Sequence, residues 1–426
     1  MTVARDAPHA IALADGRVLV VGNDQGAEIG DPSNGAWTAV ASLNKPRTNF
    51  AMVLLTDGRA MVVGGMNDID QSYLSAVLFD PAAPDEGWVM ADGLLHTART
   101  DPAAVVLRDG RVLVAGGYFR VAPDGRVPAD GALLASYRQP DTRSGVLTDI
   151  SPPLVGAAMA TTELFDPVTG QWTETGPMSY ARYDAAATLL ADGRVLVVGS
   201  QCPAYGGEVT VDQGACASAE IYDPTTGRFA LTGTLPELDV SGYDYPFSHD
   251  SIADPPPDFM GTLVPLPDGG AVLIGKYGSS AKGTGTVIRS YRFDVADGSW
   301  RQIGDVYAAF ASYMGPTPPE PFETDGVLPR VRPLVARLED GRVVMAGGDG
   351  MGWSPLTTAT GRLYDPDDDS WTDLPQMPEA RAAGAAVTLA DGSILVVGGH
   401  RTQAPESGDE HNRISLATVD RLVVSP

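Results

Sequence analysis

Short apolar runs recur along the whole chain, and turns rich in glycine, proline or aspartate separate them. A typical unit is an apolar run at 185–191, then Asp192-Gly193, then a valine-rich run at 194–199. Short runs rich in β-branched residues predict strands, and Asp-Gly suits the positive φ angles of a two-residue hairpin turn. The pattern therefore predicts a series of β-hairpins.

The same hairpin pattern occurs seven times. Its Asp-Gly pairs begin at Asp15, Asp57, Asp109, Asp192, Asp268, Asp340 and Asp391. A glycine stands seven residues after each of these aspartates, and a second glycine usually follows it. Further along most units an Asp-Pro turn precedes a large aromatic residue, as with Asp166 and Trp172. Each unit therefore predicts four antiparallel strands, which make one blade.

Four-stranded units with a double glycine after strand two and a tryptophan in strand four resemble the kelch repeat. Seven of them resemble a seven-bladed kelch β-propeller, which is related in fold to the propeller domain of galactose oxidase. We therefore expect an all-β fold, with one propeller domain over residues 1–426. The last unit ends after a third strand at 418–424. The last blade is expected to keep three strands, unless residues upstream of Met1 complete it.

Long inserts interrupt the repeats. They occupy residues 118–160, 201–217, 239–259, 307–328 and 400–413. All of them follow the second strand of a unit or join two units, and in an antiparallel blade these connections share one face. Long loops on a rigid scaffold usually carry function. We expect the main pocket on this long-loop face.

An arginine stands ten residues before the Asp-Gly aspartate in six units, at Arg5, Arg47, Arg99, Arg182, Arg330 and Arg381. In the remaining unit this position is Asp258. Since the position precedes the innermost strand, a ring of guanidinium groups could receive an anionic ligand. The alternative is that each arginine pairs with an acid or a carbonyl and only fixes the blades. The substrate-binding candidates are Arg47, Arg99, Arg182, Arg330, Arg381, Tyr313, Trp353 and His400.

Residues outside the repeat are the better catalytic candidates. The insert at 239–259 contains Tyr243, Tyr245, His249 and Asp250. His249 can transfer protons near neutral pH, and Asp250 could orient it. Lys276 replaces the second glycine of its unit and is a candidate base or anion contact. The alternatives are a proline-rich lid packed by its aromatic residues and, for Lys276, a tolerated surface substitution.

Two histidines and three acids in the last insert could in principle hold a divalent metal. They are His400, Glu406, Asp409, Glu410 and His411. Their spacing matches no metal motif, so a solvated polar loop is the preferred interpretation. No metal site and no cofactor are predicted. The residue pattern of the copper site of galactose oxidase is absent too, because both cysteines, Cys202 and Cys216, lie in one insert.

Composition narrows the partners. The net charge of −25 would repel a nucleic-acid backbone, and no apolar run is long enough to cross a membrane as a helix. We expect a small-molecule or carbohydrate ligand and a monomeric protein. The N-terminus shows no targeting signal, which suggests a cytoplasmic protein, or an exported one if a signal was removed.

Two functions remain open from the sequence. The first is an enzyme of isomerase, lyase or cyclase type that uses acid–base chemistry on an anionic or polyhydroxylated small molecule. No P-loop, dinucleotide fingerprint or nucleophile elbow supports other chemistry. The second is a non-catalytic kelch module that binds a carbohydrate or a protein. The sequence names neither the substrate nor the reaction.

Overall fold

The fold is that of a computed structural model of the 426-residue chain. The structure describes residues 1–22, 26–67, 72–119, 137–140, 147–150, 158–199, 217–236, 258–278, 286–303, 307–309, 333–349, 357–403 and 412–424. Only the backbone is described at 137–140, 147–150, 258–260, 276–278, 286–289, 307–309, 403 and 412. Within these residues every regular element is a β-strand, apart from one 3₁₀ turn at Pro84–Glu86. No helix in this part of the chain is long and apolar enough to cross a membrane.

The first four blades are antiparallel sheets of four strands each. Blade 1 contains β1 (His9–Ala12), β2 (Val18–Val21), β3 (Ala27–Asp31) and β4 (Ala36–Val40). Blade 2 contains β5 (Ala51–Leu54), β6 (Ala60–Val63), β7 (Ala76–Phe79) and β8 (Trp88–Met90). Blade 3 contains β9 (Ala103–Val106), β10 (Val112–Ala115), β13 (Thr162–Asp166) and β14 (Gln171–Thr175), with the hairpin β11 (Tyr137–Pro140) and β12 (Leu147–Ile150) in its insert. Blade 4 contains β15 (Ala186–Leu189), β16 (Val195–Val198), β17 (Ser218–Asp223) and β18 (Arg228–Thr234).

The last three blades differ in strand number. Blade 5 contains β19 (Asp258–Pro265), β20 (Ala271–Gly278), β21 (Thr286–Phe293) and β22 (Trp300–Gln302), and β23 (Tyr307–Ala309) pairs with β21 as a fifth strand. Blade 6 contains β24 (Leu334–Arg337), β25 (Val343–Ala346), β26 (Gly361–Asp365) and β27 (Ser370–Leu374). Blade 7 contains β28 (Ala385–Thr388), β29 (Ile394–Val397) and β32 (Val419–Leu422), with the hairpin β30 (His400–Gln403) and β31 (Asn412–Ser415) between them. The predicted seven blades and the three-stranded last blade are confirmed.

The first strands of the blades form a closed ring. Each of β1, β5, β9, β15, β19, β24 and β28 contacts the first strands of both neighbouring blades. Blades 7 and 1 share an apolar cluster that includes Val18, Val20, Val387 and Val397. The first strands therefore line the central channel, and the chain closes on itself between blades 7 and 1.

The Asp-Gly hairpins are confirmed, but their loops have three residues and not two. In blade 1 the Leu13 N–H donates to the Arg17 carbonyl, and the Gly16 N–H donates to the Leu13 carbonyl. Gly16 has φ +85°, whereas Asp15 keeps a negative φ. This is a type I turn followed by a left-handed glycine bulge, in which only the glycine needs positive φ. The Asp15 carboxylate accepts the Arg17 N–H and so caps the turn.

Candidate functional site

The repeated arginine lies inside its own blade. Arg47, Arg99, Arg182 and Arg381 each have no exposed surface. The Nη1 of Arg182 donates to the Gly199 carbonyl at 3.0 Å and to the Ser218 carbonyl at 2.9 Å. Arg47, Arg99 and Arg381 make the equivalent pair of bonds in blades 2, 3 and 7. These guanidinium groups hold the end of strand two against the start of strand three.

A carboxylate on strand three completes the contact in four blades. The pairs are Arg5 with Glu28, Arg99 with Glu163, Arg182 with Glu220, and Arg381 with Asp420. Glu220 also accepts the backbone N–H groups of Ser179 and Tyr180, at 2.6 and 3.3 Å. Blade 2 has Val77 at this strand position, and there the Arg47 guanidinium lies over the Tyr73 ring at 4.2 Å.

The backbone of the same arginine joins its blade to the preceding one. The carbonyls of Arg99, Arg182, Arg381 and Arg5 accept the N–H of the second glycine in the preceding blade, each at 2.8 Å. The first glycine of the pair lies so close that a Cβ on Gly64, Gly116 or Gly347 would be 2.3 to 2.5 Å from that carbonyl oxygen. The first glycine of the pair is therefore required by the approach of the next blade, whereas a Cβ on the second, as at Gly65 or Gly117, would meet the backbone of its own blade. The five arginines that the structure describes match the architectural alternative, and Arg99, Arg182 and Arg381 do not present unpaired guanidinium groups to the channel.

His400 also joins blades. It is 1% exposed; its Nδ1 lies 2.9 Å from an Asp6 oxygen and its Nε2 lies 2.9 Å from an Asp349 oxygen. Burial alone would raise the pKa of Asp6, but the hydrogen bonds from His400 and Arg413 outweigh it and hold that pKa below its ordinary value. His400 thus lies between blades 6, 7 and 1, where its contacts are those of a structural link.

A second repeated position stands two residues after each arginine. In the five blades where it is described, this residue has a left-handed backbone although it is not glycine. The residues are Ala7, Asn49, Asp101, Asp184 and Ala383, with φ between +47° and +56°. The Asp101 N–H donates to the Asn49 carbonyl, and the Asp184 N–H donates to the Asp101 carbonyl. These residues form a rim where the innermost strands begin, which we call the channel mouth.

A cavity opens at the channel mouth. Its volume is about 270 Å³, and its lining residues come from blades 1 to 4. They are Ala7, His9, Asn49, Phe50, Asp101, Pro102, Asp184 and Ala185. Thr100, beside Asp101, is hydrogen-bonded in both directions to Tyr118, the first residue of the insert at 118–160. The cavity therefore lies on the long-loop face, and its described lining contains no insert residue.

Two carboxylates in this cavity have raised pKa values. Burial raises the pKa of Asp184 to about 7, and the nearby charge of Asp101 adds to the effect. Burial also raises the pKa of Asp101 to about 6, although the Asn49 amide donates a hydrogen bond to it at 2.8 Å. Carboxyl groups that titrate near neutral pH can both give and accept protons. The pair is therefore equipped for acid–base chemistry.

The wall beside the carboxylates is aromatic and apolar. The His9 and Phe50 rings stack at 4.3 Å between centroids, with 32° between their planes. Burial lowers the pKa of His9 to about 4, so its imidazole is neutral at physiological pH. The cavity thus presents polar oxygen atoms beside an uncharged ring surface.

Asp101, Asp184, Asn49 and His9 were missed by the sequence reasoning. For Asn49, Asp101 and Asp184 the available signal was a position fixed at two residues after the repeated arginine, where the residue type changes from blade to blade. At such a position the fold requires a particular backbone conformation but not a particular side chain, so the side chain is available for a functional role.

Seven of the predicted site residues lie outside the described part of the chain. These are Tyr243, Tyr245, His249, Asp250, Tyr313, Arg330 and Trp353. Lys276 lies on β20, in register with Met260 and Ile288, and only its backbone is described. Within the described residues, no group of three or more histidine, cysteine, aspartate or glutamate side chains is arranged to hold a metal ion.

Comparisons with known proteins give partial relatives. No protein-family model matches the chain. It is 24% identical to the N-acetylneuraminate epimerase of Brucella melitensis over 181 residues, which are 41% of this chain and 46% of that protein. It is 30% identical to an F-box/kelch-repeat protein of Arabidopsis thaliana over 124 residues, 29% of this chain and 21% of that protein. The chain therefore spans less than half the length of the curated relatives that it matches.

A solved structure shares the fold over nearly the whole chain. It is a fungal alcohol oxidase of the AA5 family in complex with copper, with a TM-score of 0.57 and 15% identity. The match covers 94% of this chain and 71% of that one. At this identity the likeness shows the fold alone. The blades define the class of fold: this chain is a seven-bladed β-propeller. Its repeat and its partial relatives are consistent with a kelch propeller.

Proposed function

We propose that the protein is an enzyme that performs acid–base, non-redox chemistry on a polyhydroxylated small molecule at the channel mouth. The observation that carries the proposal is the Asp101–Asp184 pair, which lines a cavity and has pKa values of about 6 and about 7. Isomerase, lyase or cyclase chemistry needs a proton removed and returned, and no cofactor is proposed. The names of the Brucella relatives, which are sugar epimerases, support a carbohydrate substrate.

The two carboxyl groups would have different roles. Asp184, with the higher pKa, is protonated in a large fraction of molecules at neutral pH and suits the acid. Asp101 is held by Asn49 and is mostly ionised there, so it suits the base. His249, Asp250, Tyr243, Tyr245 and Lys276 remain predicted catalytic partners, and Arg330, Tyr313 and Trp353 remain predicted binding residues.

The test begins with a ligand found by thermal shift against a panel of sugars, sugar acids and polyols. With that ligand, Asp184→Asn should lower turnover about a hundredfold or more, the usual contribution of a general acid or base. The matched control is Asp367→Asn, an exposed aspartate in an Asp-Pro turn on the opposite face, which should leave turnover unchanged. Turnover that is the same in Asp184→Asn as in the parent protein contradicts the proposal.

The alternative is a kelch module that binds without catalysis, which the partial match to an F-box/kelch-repeat protein favours. In that case a ligand binds at the channel mouth, Asp184→Asn weakens binding, and no member of the panel is converted. The two functions are therefore separated by product analysis on the same samples.

A further inference from the structure

Both charged residues in the described lining of the cavity at the channel mouth are acidic. Asp101 and Asp184 are the charged residues in the described lining of the cavity, and the others are Ala7, His9, Asn49, Phe50, Pro102 and Ala185. His9 adds no positive charge, because burial lowers its pKa to about 4. None of the lining residues described is a lysine or an arginine.

The arginines nearest the mouth are already engaged. The guanidinium groups of Arg99 and Arg182 are buried against carbonyls and against Glu163 and Glu220. They therefore bind the end of strand two and the start of strand three in their blades, and neither side chain is exposed. The whole chain carries a net charge of −25, so distant charges add to the negative potential of the cavity.

The size and the lining residues of the cavity are compatible with one sugar ring. Its volume of about 270 Å³ is just below the range of about 300 to 1,000 Å³ that is usual for ligand pockets, which restricts it to a small ligand. The stacked His9 and Phe50 rings and Pro102 give an apolar wall for the C–H face of a sugar. The Asp101, Asp184 and Asn49 side chains can accept or donate hydrogen bonds to hydroxyl groups.

We infer that the channel mouth selects an uncharged sugar or polyol of monosaccharide size and rejects the corresponding sugar acid. The inference rests on the site named in the proposed function and gives its substrate class. A ligand carboxylate would meet two partly buried carboxyl groups, and like charges in contact at a binding site oppose binding. The acidic sugar in the names of the Brucella relatives is therefore not the expected ligand of this chain.

The experiment uses matched pairs that differ only in the replacement of a CH₂OH group by a carboxylate: glucose with glucuronate, galactose with galacturonate, and mannose with mannuronate. Binding is measured by calorimetry on the full chain at pH 7.5, at low and at physiological ionic strength. The neutral member of at least one pair should bind at least 10-fold more tightly, which is about 1.4 kcal/mol. The ratio between the affinities for the neutral sugar and for its acid should fall as salt screens the repulsion.

The carboxylates are then removed. In the double variant Asp101→Asn/Asp184→Asn the ratio between the two affinities should fall to about twofold or less. In the control variant Asp367→Asn this ratio should be the same as in the parent protein. Circular dichroism checks that the double variant folds. If it does not fold, the single variant Asp184→Asn is used in its place, together with the salt series on the parent protein. An equal or greater affinity for the acid, or a ratio that persists without the carboxylates, overturns the inference.

The outcomes also separate this inference from the proposed function. If the neutral member binds selectively but is not converted, the inferred ligand class is supported and the proposed enzymatic function is overturned. If a sugar acid is converted, the proposed enzymatic function is supported and the inferred preference for a neutral sugar is overturned. If no member of any pair binds, the inference is overturned together with the polyhydroxylated substrate.

Discussion

At the scale of single residues, the channel mouth stores unfavourable energy. Asp101 and Asp184 combine a left-handed backbone, with φ +48° and +53°, with partly buried carboxyl groups. Aspartate tolerates this backbone better than most residues, but burial of its charge still costs free energy. Binding sites often carry such costs, which the rest of the fold offsets. Both features can be tested without a known ligand.

Asp184→Asn should stabilise the protein at high pH. The pKa of Asp184 is raised from 3.8 to about 7, so the native state binds a proton that the unfolded state releases. The stability that the protonated Asp184 allows is fully present below pH 4, and it is lost as the pH rises toward 7, because the unfolded state then releases the proton more readily than the native state. The variant should gain up to about 3 kcal/mol over the parent at pH 8, less than the full shift implies because water reaches the cavity, and little at pH 4. Urea unfolding at both pH values measures this, and an equal difference at both would contradict it.

Ala383→Gly should stabilise the protein slightly. Ala383 has φ +50°, a conformation that costs an alanine about 1 kcal/mol and a glycine almost nothing. We expect a gain of about 0.5 to 1 kcal/mol in urea unfolding. The control is Ala39→Gly, on the exposed outer strand β4, where the same change should destabilise by a similar amount. A loss at both positions would show that the backbone at Ala383 is not strained.

At the scale of elements, the blade is held by a buried cation that bridges strands two and three. Arg182→Ala should cost about 3 to 5 kcal/mol, because it leaves Glu220 buried without its partner. Arg59→Ala is the control: Arg59 forms an exposed ion pair with Asp57, and its loss should cost less than about 1 kcal/mol. Urea unfolding of both variants gives the comparison. Equal costs would mean that Arg182 has no architectural role.

The elements show what a sequence can and cannot predict. Valine runs, Asp-Gly turns and aromatic spacing are local, so strands and blades were predictable. The role of Arg182 depends on Ser218 and Glu220, which lie 36 and 38 residues further along the chain. Its guanidinium group could equally have turned to the channel, and the sequence left both interpretations open. Asp101 and Asp184 become a pair only when the ring brings blades 3 and 4 together.

At the scale of the whole molecule, ring closure depends on contacts between blades 7, 6 and 1. His400→Ala should cost about 2 to 3 kcal/mol, because it removes two partly buried hydrogen bonds between the buried imidazole and carboxylates. The control is His96→Ala: His96 contacts Glu163 but is 48% exposed, and its loss should cost less than about 1 kcal/mol. Thermal unfolding distinguishes them. A similar shift in both variants would remove His400 from ring closure.

The hydrogen bond from the second glycine of one blade to the arginine carbonyl of the next has a consequence for dynamics. The amides of Gly65, Gly117, Gly348 and Gly399 all donate across a blade boundary. Each amide can exchange with deuterium only when two neighbouring blades separate, and a closed ring cannot open one boundary without straining the others. These four amides should therefore exchange at nearly one rate, as reporters of a single opening event of the whole ring.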